Sequence, residues 1–370
     1  MKLVVLVSHP IQHFCPQYRS LAERSDVDLT VVFGSLKGAE PYHDAGFGRQ
    51  VSWGAGLLEG FDWRIAPNNR AVASALDDLA PDHLVIYGYA EPISRAAWRW
   101  AWRRDVSIAY VADSEDRHDA AKGLREPLKA LVIRRLFRRV STFLSVGDAN
   151  EEYYLARGVP QDRIVRMHFP ISPAMLGRDE AQTELRAELG VHPEALVVLN
   201  VGKFETRKRQ RDLVETARRF TPRDLHLLMA GSGDELEACR ELAADAPNIT
   251  FLGFVPPGGL VQLYRGSDVY AHVSSYDPHP LAVSEAAASG CALVVADTTG
   301  SWGTHDDVAP YETGLVVRCG QIDELAAALG ALAANRPWAA AMGTAARARA
   351  ERFQRRSHGG FIDDLARRGQ

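Results

Sequence analysis

Short apolar runs that alternate with helical segments decide what this chain can fold into. Leu3–Val7, Asp28–Phe33, His83–Tyr87, Ser107–Val111 and Thr142–Ser145 read as one set of strands. Ala195–Val201, Leu225–Ala230, Ile249–Leu252, Val269–Val273 and Ala292–Ala296 read as a second set. Helical stretches lie between them, the first around Gln17–Arg24. Such alternation implies an α/β fold with parallel sheets covered by helices on both faces. Two sets imply two Rossmann-like, doubly wound domains facing across a cleft. A chain of 370 residues is long for one core, which agrees with two domains. The proline-bearing stretch Phe169-Pro170-Ile171-Ser172-Pro173 divides residues 1–172 from residues 173–350. An Arg-rich helical tail, 351–370, is expected to return to the first domain.

Composition excludes several classes. A hydrophobic content of 46% with 24% charged residues is that of a soluble globular protein. The net charge of -4 offers no footprint for nucleic acid. Cys15, Cys239, Cys291 and Cys319 are scattered without paired spacing, which argues against a zinc site or disulfide framework. Reduced thiols suit a cytoplasmic enzyme. The opening run Met1–Pro10 is too short in its apolar part for a signal peptide and reads as a first strand. No run approaches the length that crosses a bilayer.

The stretch Ser274–Glu285 carries the most chemistry. It joins a predicted strand to a helix that runs to Gly290, and it sets Asp277 and Glu285 eight positions apart. A helix N-terminus cradles phosphate with its unpaired N–H groups and positive dipole. A carboxylate accepts hydrogen bonds from the two neighbouring hydroxyls of a ribose. One element can therefore hold a diphosphate, a ribose and a sugar.

Further landmarks follow in order. Gly202-Lys203-Phe204-Glu205-Thr206-Arg207-Lys208-Arg209 ends the strand Val197–Val201. Ala230-Gly231-Ser232-Gly233-Asp234 ends another, and Phe251–Val255 and Tyr311–Val317 come later. Together with Asp277 and Glu285, these motifs resemble the retaining GT-B glycosyltransferases of the family-four, group 1 type. The resemblance covers most of residues 195–320. It implies transfer of a sugar from a nucleotide-diphospho-sugar, with UDP as the expected nucleotide, to a hydroxyl or amine with retained anomeric configuration. Cell-envelope glycan or natural-product synthesis is the implied setting.

The same resemblance assigns roles. Lys203 and Lys208 are implied to neutralise the departing diphosphate, and Glu285 to hold the ribose. Asp277 is implied to touch the sugar. Gly202, Gly231, Gly233, Phe254, His279 and Leu281 complete the donor site. His279-Pro280 stands where the family has Phe-Gly, and proline lacks an N–H to offer a sugar. No cofactor is expected beyond the nucleotide-sugar substrate, and no metal, because lysines and a helix terminus already face the diphosphate. The glycines 231 and 233 also open a partial dinucleotide fingerprint, but Leu236 stands where its third glycine belongs.

The first half is read as the acceptor side. His9 and His13 follow the first strand, where a cleft loop belongs. Asp44 lies in the loop Tyr42–Gly48, with Trp53 beyond it. Asp113 occupies the place of a family histidine and, with Glu115, can accept a proton or bind an amine. Lys122–Arg139 is basic and amphipathic, with Leu128, Val132, Leu136 and Val140 at spacing four. It offers either peripheral contact with an anionic membrane or a packing helix with a solvated basic face. A non-catalytic nucleotide-sugar-binding relative and an enzyme acting on a lipid carrier both remain open.

Overall fold

The computed structural model of the chain describes residues 1–40, 42–44, 49–51, 56–117, 126–176 and 182–368, with backbone alone for 42–44, 49–51, 126–129, 182–184 and 368. In the first lobe the strands are β1 (Lys2–Val7), β2 (Asp28–Phe33), a hairpin of β3 (Tyr42–Asp44) and β4 (Arg49–Val51), then β5 (Asp62–Ile65), β6 (His83–Tyr87), β7 (Ser107–Val111), β8 (Thr142–Ser145) and β9 (Ile164–Arg166). Seven of them form a parallel sheet in the order β5-β2-β1-β6-β7-β8-β9. The second lobe holds β10 (Leu196–Val201), β11 (Leu225–Ala230), β12 (Ile249–Gly253), β13 (Val269–His272), β14 (Ala292–Ala296) and β15 (Gly314–Val317). Its six strands are parallel in the order β12-β11-β10-β13-β14-β15.

Helices on both faces explain why the inner strands read as unbroken apolar runs. Every residue of β11 and of β14 is buried. β5 is different: its four residues, Asp-Trp-Arg-Ile, are all exposed at the sheet edge. It carries no apolar pattern, and the sequence reading passed over it. Strand order reverses between β1 and β6 and again between β10 and β13. Ligand crevices in open sheets lie at such reversals, beyond the strand C-termini.

The helix Glu126–Phe137 corrects one expectation. Its buried seam runs through Ile133 and Phe137, at 3% exposure each, and on to Val140. Val132, assigned to the packing stripe by its spacing, is 60% exposed beside Leu131 at 64%. The three tryptophans of the helix Pro92–Arg104 divide between two sides. Trp98 packs edge-on against Trp102 at 5.7 Å, while the Trp100 indole N–H donates to Asp77 at 2.8 Å.

The chain crosses between lobes twice. The first crossing is the segment around Phe169–Ile171. The long helix Arg336–Arg355 packs on the second lobe, and after a bend with Gly359 at φ 145° the chain continues into the helix Ile362–Arg368. Phe361, Ile362 and Leu365 are buried in the first lobe's core with Leu3, Phe14 and Tyr18. Gln354 ties the two crossings together: its Nε2 donates to the Phe169 carbonyl at 3.1 Å, and its Oε1 accepts the Ile171 N–H at 2.9 Å.

Candidate active site

The site is assembled at the reversal between β10 and β13. Beyond β10 the chain enters Gly202 and the short turn Thr206–Lys208. Beyond β13 it runs from Val273 to Pro280 before the helix Leu281–Ala288 begins. The two loops are stitched together. The Arg207 carbonyl accepts the Ser275 N–H at 2.8 Å and the hydroxyls of Ser274 and Ser275 at 3.1 Å. Buried Gln210 donates to the Lys203 carbonyl at 2.7 Å.

A third loop closes on the first. Gly231 (φ 145°) approaches so near that a Cβ would sit 1.8 Å from the Gly202 carbonyl oxygen. At Gly233 (φ 149°) a Cβ would meet the Phe204 carbonyl at 2.4 Å. These glycines serve the packing of one loop on another, with backbone geometry closed to side chains.

Between the loops lies a cavity of about 220 Å³, lined by Gly202, Gly231, Phe254, Leu281 and Glu285 among others. Five residues assigned to donor binding thus share one wall. Gly233 and His279, also assigned there, are not among its lining residues. Gln12 reaches this cavity from the first lobe, a contribution the sequence reading missed. Inside, the Tyr264 hydroxyl donates to Glu285 Oε2 at 2.9 Å. Burial pushes the Glu285 carboxyl up to about 7, against the pull of that hydrogen bond.

Asp277 is held from two directions. Its Oδ2 accepts from the Lys208 ammonium and from His272 Nε2, the latter at 2.9 Å. Burial opposes the charged form, yet these two donors hold the carboxyl well below the usual carboxylate range. Lys203 stands half-buried at the start of the same loop. His279 is buried, its ring 5.4 Å from that of Phe169 in the first lobe. With Asp306 and Asp307 it forms a group whose ring nitrogen and carboxylate oxygens fall within 4.8 Å. Protein donors already serve the carboxylates: Ser284 donates to Asp307 at 2.5 Å and the Asp148 N–H to Asp306 at 2.7 Å.

On the first lobe, Asp113 lies within electrostatic reach of Asp277, His279 and Glu115. Asp113 is open to the cleft but hemmed in by protein, which pushes its carboxyl up, while its own loop's N–H and His279 pull it down. Glu115 is buried and accepts the Arg117 N–H. Arg117 in turn reaches across the lobes, donating to the Trp302 carbonyl at 2.5 Å with its guanidinium 4.3 Å over the Trp302 ring.

His9 and His13 part company. His9 takes a 2.8 Å hydrogen bond with Ser8 and lines an open cavity of about 790 Å³ beyond β1, β2, β5 and β6, with Lys37, Arg70 and Glu91. His13 packs on the rings of Phe14 and Phe169 at 4.3 and 5.8 Å, and burial lowers it to about 4. It is therefore neutral at pH 7 and supplies no cation for a phosphate. The Asp44 side chain, the rest of the loop through Gly48, Trp53 and residues 118–125 lie outside the described residues.

Two parallel-sheet lobes with facing switch-point crevices define the GT-B architecture. Residues 181–349 match the family described as "Glycosyl transferases group 1", and residues 11–170 match "Glycosyl transferase 4-like domain". The chain belongs to this GT-B glycosyltransferase family of the group 1 type. It is 38% identical over 291 residues to D-inositol 3-phosphate glycosyltransferase of Nocardia farcinica, covering 75% of this chain and 63% of that one. A relative from Mycobacterium tuberculosis, GDP-mannose-dependent alpha-(1-6)-phosphatidylinositol monomannoside mannosyltransferase, is 29% identical over 71% of this chain and 70% of its own. The chain thus spans less than two thirds of the Nocardia relative's length. Among solved structures, Anabaena Alr3699/HepE in complex with UDP superposes with a TM-score of 0.76 at 17% identity, covering 99% of both chains. Sucrose-phosphate synthase from Thermosynechococcus elongatus does so at 0.73 and 17%, over 99% of this chain and 98% of that one. Among the described residues no helix is long and apolar enough to cross a membrane.

Proposed function

We propose that the protein transfers a sugar from a nucleotide-diphospho-sugar, with UDP as the first choice of nucleotide, to a hydroxyl or amine acceptor with retention of configuration. The reading rests on one juxtaposition at the β10/β13 reversal: Gly202, at the base of the loop that bears Lys203 and Lys208, lines the cavity of Glu285, and Lys208 pairs with Asp277 in the loop before the Glu285 helix. Glu285 takes the ribose hydroxyls. Lys203 and Lys208 face the diphosphate, whose charge grows as the glycosidic bond breaks, and fixed cations there lower the barrier. The departing phosphate oxygen helps to remove the acceptor proton on the same face of the sugar. Asp113 and Glu115 border the acceptor's approach, and the His9 cavity receives the acceptor body. The names of the Nocardia and Mycobacterium relatives, both built on inositol, support a polyol acceptor in cell-envelope or natural-product synthesis. GDP is the alternative nucleotide, suggested by the Mycobacterium name. No cofactor or metal is assigned to the reaction.

Thermal shifts with a panel of UDP- and GDP-sugars test the reading. A true donor at a hundred times its Kd should stabilise the protein by about 2.7 kcal/mol, and release of free sugar or transfer product should follow. Binding without turnover would leave a non-catalytic nucleotide-sugar-binding protein. No shift with any member would end the proposal.

Glu285 also sets a pH dependence. Its folded pKa of about 7 is above the ordinary 4.5, so its contribution to the stability of the free protein is lost as pH rises from 4.5 through 7. Ribose hydroxyls donate to the ionised form, so nucleoside affinity should move the other way. Uridine, which carries no titrating phosphate, should bind about tenfold tighter at pH 8 than at pH 6. A flat profile would remove the ribose from Glu285.

A membrane-associated form of the same activity, on a lipid carrier, is favoured by one observation. The helix Glu126–Phe137 exposes Leu131 and Val132 near Arg134 and Arg135. Vesicles rich in anionic lipid should sediment the protein, and charge reversal at Arg134, Arg135 and Arg138 should leave it in the supernatant. Equal sedimentation of both forms would assign the helix to packing alone.

A further inference from the structure

We propose that His272 is a positioning residue of this site: it pins Asp277, and Asp277 in turn aims the Lys208 ammonium at the place of the diphosphate. The inference rests on the donor-site reading above and adds a residue that the sequence motifs do not contain.

The geometry is a run of buried contacts. His272 is the last residue of β13, with its side chain 4% exposed. Nε2 donates to Asp277 Oδ2 at 2.9 Å, and the same oxygen takes the Lys208 ammonium. On its other side, Nδ1 packs 3.4 Å from the Tyr270 hydroxyl, whose one proton goes to the Val201 carbonyl at 3.2 Å. Val201 is the residue before Gly202, where the loop bearing Lys208 begins. The path therefore leaves the loop at its base and returns to it at its working cation. Both ends of the loop are referred to one buried imidazole.

Charge supports the same role. Burial, Lys208 and Arg207 all lower the proton affinity of His272, against the hydrogen bond and the charge of Asp277. A neutral imidazole donates one N–H and leaves a single carboxylate opposite a single ammonium. The ammonium's remaining N–H donors are then free of competition from a second cation below. Aspartate at position 277 fits this arrangement, because the carboxylate is drawn down toward the strand. The residue is turned to holding Lys208, and a strand position that would otherwise carry an apolar side chain holds a donor.

Calorimetry with UDP against uridine, and GDP against guanosine, isolates the diphosphate. His272→Leu should weaken the diphosphate of the preferred base by about tenfold, the scale of a lost hydrogen bond to a charged group, with the nucleoside unchanged. His272→Gln, which keeps an amide donor, should recover most of the loss. A purely structural role would weaken nucleotide and nucleoside together, and that result, or unchanged UDP and GDP binding, overturns the proposal. Should His272→Leu not fold, His272→Phe, closer to the imidazole in shape and equally without a donor, carries the same comparison with the same expected and overturning results. A wild-type protein that binds neither diphosphate better than its nucleoside would bring down the donor reading itself, and this inference with it.

Discussion

Lys208→Ala is expected to lower transfer by about 10²–10³-fold, the usual consequence of removing one preorganised donor from a developing oxyanion. Two effects add. The diphosphate loses a cation, and Asp277, whose side chain is 12% exposed, loses its counter-ion and turns a charge no longer balanced by an ammonium toward the leaving group. Folding should suffer less than turnover. The 2.9 Å hydrogen bond from His272 Nε2 still serves the Asp277 carboxylate when Lys208 is gone. Initial rates with the identified donor, beside melting curves of the same samples, make the check. Turnover within twofold of wild type would discard Lys208 as a phosphate ligand. Lys208→Arg, with the charge kept and the reach altered, should fall between the two.

The other large effect is on stability. Gly231→Ala places a methyl group 1.8 Å from the Gly202 carbonyl oxygen, on backbone at φ 145° that an L side chain resists. Backbone cannot step aside as a flexible side chain can, so the loops after β10 and β11 must part. A loss of about 3–5 kcal/mol is expected, combining overpacking with conformational strain. Gly253→Ala is the internal control. It shares a positive φ, 66°, but a Cβ there meets nothing within 4 Å. Only strain of about 1–2 kcal/mol applies. Denaturant midpoints of the two variants should differ clearly, and equal midpoints would show that the 202/231 contact yields easily. Nucleotide binding should also fall in Gly231→Ala, since Gly202 and Gly231 both line the cavity beside Glu285.

The sequence exposed those parts of the fold whose burial is symmetrical. β11 and β14 are covered on both faces, so their residues form continuous apolar runs. β5 escaped because an exposed edge strand is under no such demand, and β9 because Ile-Val-Arg is too short to show a pattern. β15 was visible as a motif rather than as a strand. Within the site, the loop through Lys208 and the pair Asp277 and Glu285 were legible because each is contiguous in the chain. Gln12, Tyr264 and His272 were not, because tertiary packing alone brings them in. His272 did leave a trace: a polar residue stands in the apolar run Val-Tyr-Ala-His-Val, and a buried polar group calls for a partner. The helix Glu126–Phe137 shows the opposite error. Spacing four fits more than one seam, and only contact with Tyr110 and Phe143 selects Phe137 over Val132.

Gln354 binds both interlobe passages of the chain at once, through the Phe169 carbonyl and the Ile171 N–H. Two neighbouring strands of chain bound side by side leave fewer ways for the lobes to turn than either passage would alone. His358 Nε2, 3.3 Å from the Ile171 carbonyl, and the Phe353 ring, stacked 3.7 Å from that of His168, close the same seam, so a change of angle between the lobes has to turn where these groups meet.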